Sequence, residues 1–130
     1  MPRFLNPATL AQPSSQYSQG VLVGPYSKRL LISGQIGVRP DKSLAEGLEA
    51  QAEQAYDNIL ALVAAAEMAP TDIVRLIVYC AVPGSVAVLR GVRTRKLGRH
   101  APASTYLEVA GLANPAYLVE IEGEALRDSI

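Results

Sequence analysis

Cysteine is almost missing from this chain. Cys80 stands alone in 130 residues, so no internal disulfide can form and no second thiol exists to resolve a redox cycle; in its apolar run it reads as a small core residue. Histidine is as scarce. His100 has no second histidine or cysteine at ligand spacing, which argues against a metal site. Net charge is absent as well: twelve basic and twelve acidic residues cancel, leaving no overall field to draw in nucleic acid or an anionic membrane. No apolar run approaches the ~20 residues of a spanning helix, so a membrane is not an expected partner. No charged-then-apolar leader opens the chain, and the default expectation is a cytoplasmic protein. Tandem repeats, low-complexity tracts, a glycine-rich phosphate loop, a Ser-His-Asp grouping and an aromatic stacking platform are all missing. The expected cofactor complement is therefore none.

What is present suits one compact domain over residues 1–130. The chain is 49% hydrophobic and 18% charged, with ten glycines and nine prolines, and a chain of this length buries roughly two thirds of its unfolded surface around one core. Residues 1–16, punctuated by Pro2, Pro7, Pro13 and Ser14-Ser15, read as an irregular lead-in. A short strand over Gln19–Gly24, a turn at Gly24-Pro25-Tyr26-Ser27-Lys28 and a strand over Arg29–Ile36 predict a hairpin. Apolar residues at 44, 48, 52, 55, 59, 62, 63 and 66 predict an amphipathic helix over Leu44–Met68. Ile73–Cys80 reads as a buried strand. Ser85 is placed to cap a second helix reaching about Leu97, and Ser104–Val109 and Ala116–Leu126 supply two further strands. Two helices against one mixed sheet give an α+β architecture.

Three segments stand out on that frame: Ser33-Gly34-Gln35-Ile36, Pro102-Ala103-Ser104-Thr105-Tyr106-Leu107-Glu108-Val109, and Val119-Glu120-Ile121-Glu122. In register, they resemble the RidA family (YjgF-type proteins) over about residues 14–126. The resemblance implies a chorismate-mutase-like fold and a homotrimer whose small-metabolite clefts lie between subunits. It also implies hydrolysis of an enamine or imine to a keto acid and ammonia. Tyr17 then borders the cleft and can hydrogen-bond a carboxylate or imine nitrogen, Ser33 and Gly34 line its floor, Thr105 adjoins it, and Glu120 orders the attacking water. Ser104 departs from the pattern, because active relatives carry there an arginine that grips the substrate carboxylate. One neutral hydroxyl cannot replace a bidentate, charge-assisted pair, so an amino-acid-derived enamine is expected to bind poorly unless another cation serves. Arg90, near Arg93, Arg95, Lys96, Arg99 and His100, falls where relatives usually have a cleft-bordering asparagine, and Arg90 and Arg93 lie one helical turn apart and could share an anion.

The residues alone leave blander readings open. Glu120 and Glu122 point to one side of their strand, as on the solvated face of an antiparallel edge. The basic segment also fits a solvated helix face with cations at its C-terminus. Function is open in the same way: an imine or enamine hydrolase with altered specificity, or a non-catalytic trimer that binds small carboxylates, other metabolites or a protein. A ribonuclease or translation inhibitor is disfavoured by the neutral charge and the lack of a histidine pair.

Overall fold

The computed structural model describes residues 3–8, 12–13, 17–18 and 20–128. Among these the chain forms β1 (Arg3–Leu5), β2 (Gly20–Leu22), β3 (Tyr26–Gln35), α1 (Leu48–Ala65), β4 (Ile73–Cys80), α2 (Val86–Leu97), β5 (Ala103–Glu108) and β6 (Val119–Asp128). The main sheet has the order β3-β6-β4-β5, with β6 antiparallel to both β3 and β4, and β5 parallel to β4. Thus β3, β4 and β5 run one way and β6 returns between them. Each parallel step needs a long crossover, and α1 and α2 supply it. The expected α+β arrangement of two helices and one mixed sheet is present.

Residues paired directly across strands share a face of the sheet. Ile121 pairs with Val78, Gly123 with both Leu76 and Ile32, and Val119 with Cys80, and these positions face the helices. There Ile32, Leu76, Val78, Cys80, Val119 and Ile121 pack on Ala52, Ala55, Tyr56, Ile59 and Val63 of α1 and on Leu89, Val92 and Leu97 of α2. Cys80 is fully buried, in keeping with its reading as a small core residue. A buried and a half-buried polar group on α1, Gln51 and Asn58, then fasten the loops. Gln51 donates to Ala116 O and accepts from the Leu118 amide, while Asn58 donates to the carbonyls of Ile36 and Val38.

Three expectations need correction. The hairpin does not form: β2 pairs with β1, and β3 pairs with β6. Pro25 disfavours a helical backbone at Gly24, and the chain runs on into β3 instead of reversing. The lead-in contributes β1, while Ser14-Ser15 and the strand start at Gln19 lie outside the described residues. The long helix is shorter than its apolar pattern. Leu44 bridges Val38 instead, and Gly47, at φ 88°, sets the start. At the other end Lys28 Nζ reaches across from β3 to the carbonyls of Ala66 (2.9 Å) and Glu67 (3.4 Å), placing a cation where the helix leaves its last carbonyls unpaired.

Candidate functional site

The edge strand β5 and helix α2 enclose a cavity of about 140 Å³, lined by Tyr17, Tyr56, Val78, Val86, Leu89, Arg90, Arg93, Ser104 and Tyr106. Local pairing explains how residues so far apart in sequence meet. Ser104 and Tyr106 pair with Leu76 and Val78 on β4, which turns both toward the helices. Ser18, buried, extends the sheet beyond β5: its amide donates to Pro102 O (3.2 Å) and its hydroxyl to Ala101 O (2.5 Å). Tyr17 is thereby delivered to the cavity wall.

Helix α2 provides the charge. Its buried positions are Leu89, Val92, Arg93 and Leu97, so an arginine occupies the apolar stripe and is only 8% exposed. Arg93 Nη1 donates to Ser104 Oγ at 3.4 Å, and its Nε and Nη2, also buried, have no partner among the described residues. Burial pulls the guanidinium below its usual pKa, Tyr56 acts in the opposite sense, and nearby Arg90 adds repulsion. An arginine nonetheless stays charged in a protein, so the cavity holds an uncompensated cation. Burial likewise pushes the Tyr56 hydroxyl up to about 12, with Arg93 pulling the other way. Tyr106 is raised by burial and by the hydrogen bond it donates to Glu108 (2.9 Å).

The remaining expected residues lie on the opposite face of the sheet. Glu120 pairs with Tyr79, while Thr105 and Glu122 both pair with Ile77; all belong to the pleat opposite Leu76, Val78 and Ile121. The Glu120 side chain folds over Gly34: a Cβ there would lie 2.7 Å from its Cδ and 2.8 Å from its Cγ. Ser33 adjoins, exposed, on β3. The reading of Glu120 and Glu122 as a solvated edge is corrected, because β6 is flanked by β3 and β4 and both carboxylates are half-buried. Glu122 accepts a hydrogen bond from the Tyr79 hydroxyl, which raises the tyrosine's pKa.

One chain therefore brings Tyr17, Arg90 and Ser104 together on the helix side and sets Ser33, Gly34 and Glu120 together on the other, with Thr105 sharing that second face two strands from Glu120. The basic segment divides too. Arg95 pairs with Glu49 and Glu53, and Lys96 with Asp57, all on α1. Tyr56, Tyr106 and the burial of Arg93 were not foreseen. The signal was available for Arg93, since positions 89, 92, 93 and 97 follow the helical period. Among the described residues no three His, Cys, Asp or Glu side chains cluster to hold a metal, and no helix is long and apolar enough to cross a membrane.

A mixed sheet covered on one face by two helices, with a small cleft beside an edge strand, defines an α+β protein of the chorismate-mutase-like class. The chain belongs to the endoribonuclease L-PSP family, the RidA or YjgF-type proteins, whose family model matches residues 8–127. It is 34% identical over 115 residues to a 2-iminobutanoate/2-iminopropanoate deaminase of Salmonella typhimurium, covering 85% of this chain and 87% of that one. The fold is similar to that of a conserved Rid-family protein of unknown function from Yersinia pestis, with TM-score 0.85 and 29% identity over 96% of this chain and 98% of that one. It is also similar to E. coli TdcF, solved with bound serine, with TM-score 0.73 and 27% identity over 88% of this chain and 97% of that one.

Proposed function

We propose that this protein is a cofactor-independent hydrolase of small imines or enamines, with a specificity that differs from relatives carrying an arginine at position 104. The observation that supports this reading is the cavity beside β5, which combines a buried cation, three buried or half-buried tyrosines and Ser104 in a chain belonging to a family that includes an imine deaminase. Water adds through its oxygen to the imine carbon while Glu120 takes a water proton. Glu120 returns that proton to the nitrogen to give the carbinolamine, then takes the carbinolamine's hydroxyl proton and hands it to the nitrogen as the C–N bond breaks, so imine and water leave as a keto compound and ammonia. These transfers need Glu120 beside the bound imine.

Within one chain Glu120 and the cavity lie on opposite faces of the sheet. The reading therefore requires a homo-oligomer, and we favour the trimer, in which one subunit's cavity faces the Glu120 side of its neighbour. The open sheet face has a reason to be covered, since Leu31 and Leu107 are 66% and 45% exposed on it. The test is ammonia release from imines generated in solution, measured beside sedimentation at low micromolar concentration. Trimers that release ammonia from an imine panel, and lose that activity in Glu120→Gln, are expected. Trimers that bind small carboxylates yet release no ammonia above the Glu120→Gln background would replace hydrolysis with metabolite binding. A monomer would overturn the shared cleft.

A further inference from the structure

We infer that Arg93 is the anion anchor of this cavity, its guanidinium turning as the ligand enters to bring the Nε–Nη2 edge to the carboxylate of a small monocarboxylate with an apolar or planar body. This deepens the function proposed above and rests on it only for the chemistry that follows binding. Three observations converge. First, Arg93 is more than nine-tenths buried on the cavity wall, with Nε and Nη2 lacking any partner among the described residues. A buried charge left unpaired is costly, and sequences keep one where a ligand supplies the counter-charge. Second, the one side-chain hydrogen bond that Arg93 makes among the described residues, from Nη1 to Ser104 Oγ, holds the far corner of the group. The two unpartnered nitrogens are neighbours on one edge of the plane and are sealed from water, so a small turn of the side chain is what sets their two parallel N–H donors against two carboxylate oxygens. Third, no acidic side chain among the described residues lines the cavity. A ligand's ammonium would find no partner there, which favours keto or imino acids and simple carboxylates over zwitterionic amino acids.

The rest of the wall sets the body of the ligand. It is aromatic and aliphatic apart from Ser104 and the two arginines, and its volume of about 140 Å³ is close to that of apolar cavities that hold benzene. Arg90, exposed one turn before Arg93, adds positive potential without a fixed contact. The hydroxyl at position 104 thus acquires a role: it orients a guanidinium that arrives from the helix instead of from the strand.

Calorimetric titration of the intact oligomer with benzoate, and with benzamide as the uncharged isostere, tests the assignment in wild type, Arg93→Met and Arg95→Ala. The expected result is benzoate binding by wild type and Arg95→Ala, negligible binding of benzamide, and a loss of about a hundredfold in Arg93→Met, the size of two charge-assisted hydrogen bonds. Arg93→Met should also melt no lower than wild type, because it removes a buried unpaired charge while keeping most of the side-chain volume. Benzoate affinity within threefold of wild type in Arg93→Met, no benzoate binding by wild type, or a melting point that collapses in Arg93→Met would each overturn the anchor. Ammonia release separates the two ideas. Benzoate binding that depends on Arg93 without imine hydrolysis leaves the anchor standing and removes the hydrolase, whereas hydrolysis undiminished in Arg93→Met does the reverse.

Discussion

Two glycines three residues apart make a sharp test of how α1 and the sheet fit together. A Cβ at Gly37 would sit 2.5 Å from Gln51 Cα, 2.7 Å from its Cβ and 2.9 Å from its Cγ, against helix backbone that cannot step aside alone. The Gly37 segment cannot retreat either, because Asn58 holds the carbonyls of Ile36 and Val38 on both sides of it. Gly37→Ala is therefore expected at the upper end of overpacking costs, about 3 kcal/mol. At about 2.1 cal/mol/K per residue for the entropy of unfolding, that is a fall in melting temperature of roughly 11 °C. In Gly34→Ala the three atoms nearest the added Cβ all belong to the Glu120 side chain, which can change rotamer for about 1 kcal/mol, or roughly 4 °C. Circular-dichroism melts of the two variants should differ by several degrees in that order. Equal melts, or a silent Gly37→Ala, would refute the packing argument. Because Gly34→Ala drives the Glu120 carboxylate from its seat, it should also lose ammonia release while remaining folded.

Ile59→Asp places an unpaired carboxylate at a position with no exposure in the apolar face of α1 and should abolish cooperative folding; a wild-type urea midpoint would show the helix face misassigned. Tyr56 predicts an alkaline weakness. Its pKa is raised in the folded state to about 12 from 10.0, so below the unfolded value both states hold the proton and stability is intact. Above it the unfolded chain ionises first, and up to about 3 kcal/mol is lost as pH climbs through that window. Urea midpoints taken on either side of it should show the loss in wild type and a smaller one in Tyr56→Phe; identical losses would discount Tyr56.

Where local chemistry decides structure, the sequence was readable. The β-branched run at Ile73–Cys80 and the helical spacing of residues 52, 55, 59 and 63 name elements whose buried faces are those observed. The failures lie where partners are distant. Nothing near residues 20–22 announces that their partner is Arg3–Leu5, and adjacency in sequence made a hairpin the simplest guess. The long helix was overextended because apolar periodicity does not register a cation such as Lys28, brought by another element to close the last turn. Strand order was equally hidden. Glu120 looked like an edge residue because alternation tells which face a side chain takes and says nothing of how many strands lie beyond it.

The site was legible as a set of residues and illegible as a geometry. Tyr17, Arg90 and Ser104 do share a cavity, while Glu120, Ser33 and Gly34 cannot reach it through the sheet that separates them. Serine at position 104, where the resemblance leads one to expect an arginine, reads as the absence of a cation, yet the pattern 89, 92, 93, 97 already places a guanidinium where only an apolar side chain belongs. Position 104 and position 93 are best understood as a pair. With Arg93 Nη1 resting on Ser104 Oγ, an arginine introduced at position 104 would press one cation against another in a cavity that no acidic side chain of the described residues lines. Simple restoration by Ser104→Arg is for that reason not expected while Arg93 remains, because the hydroxyl and the buried guanidinium act as one device and changing either alone leaves the other without its partner.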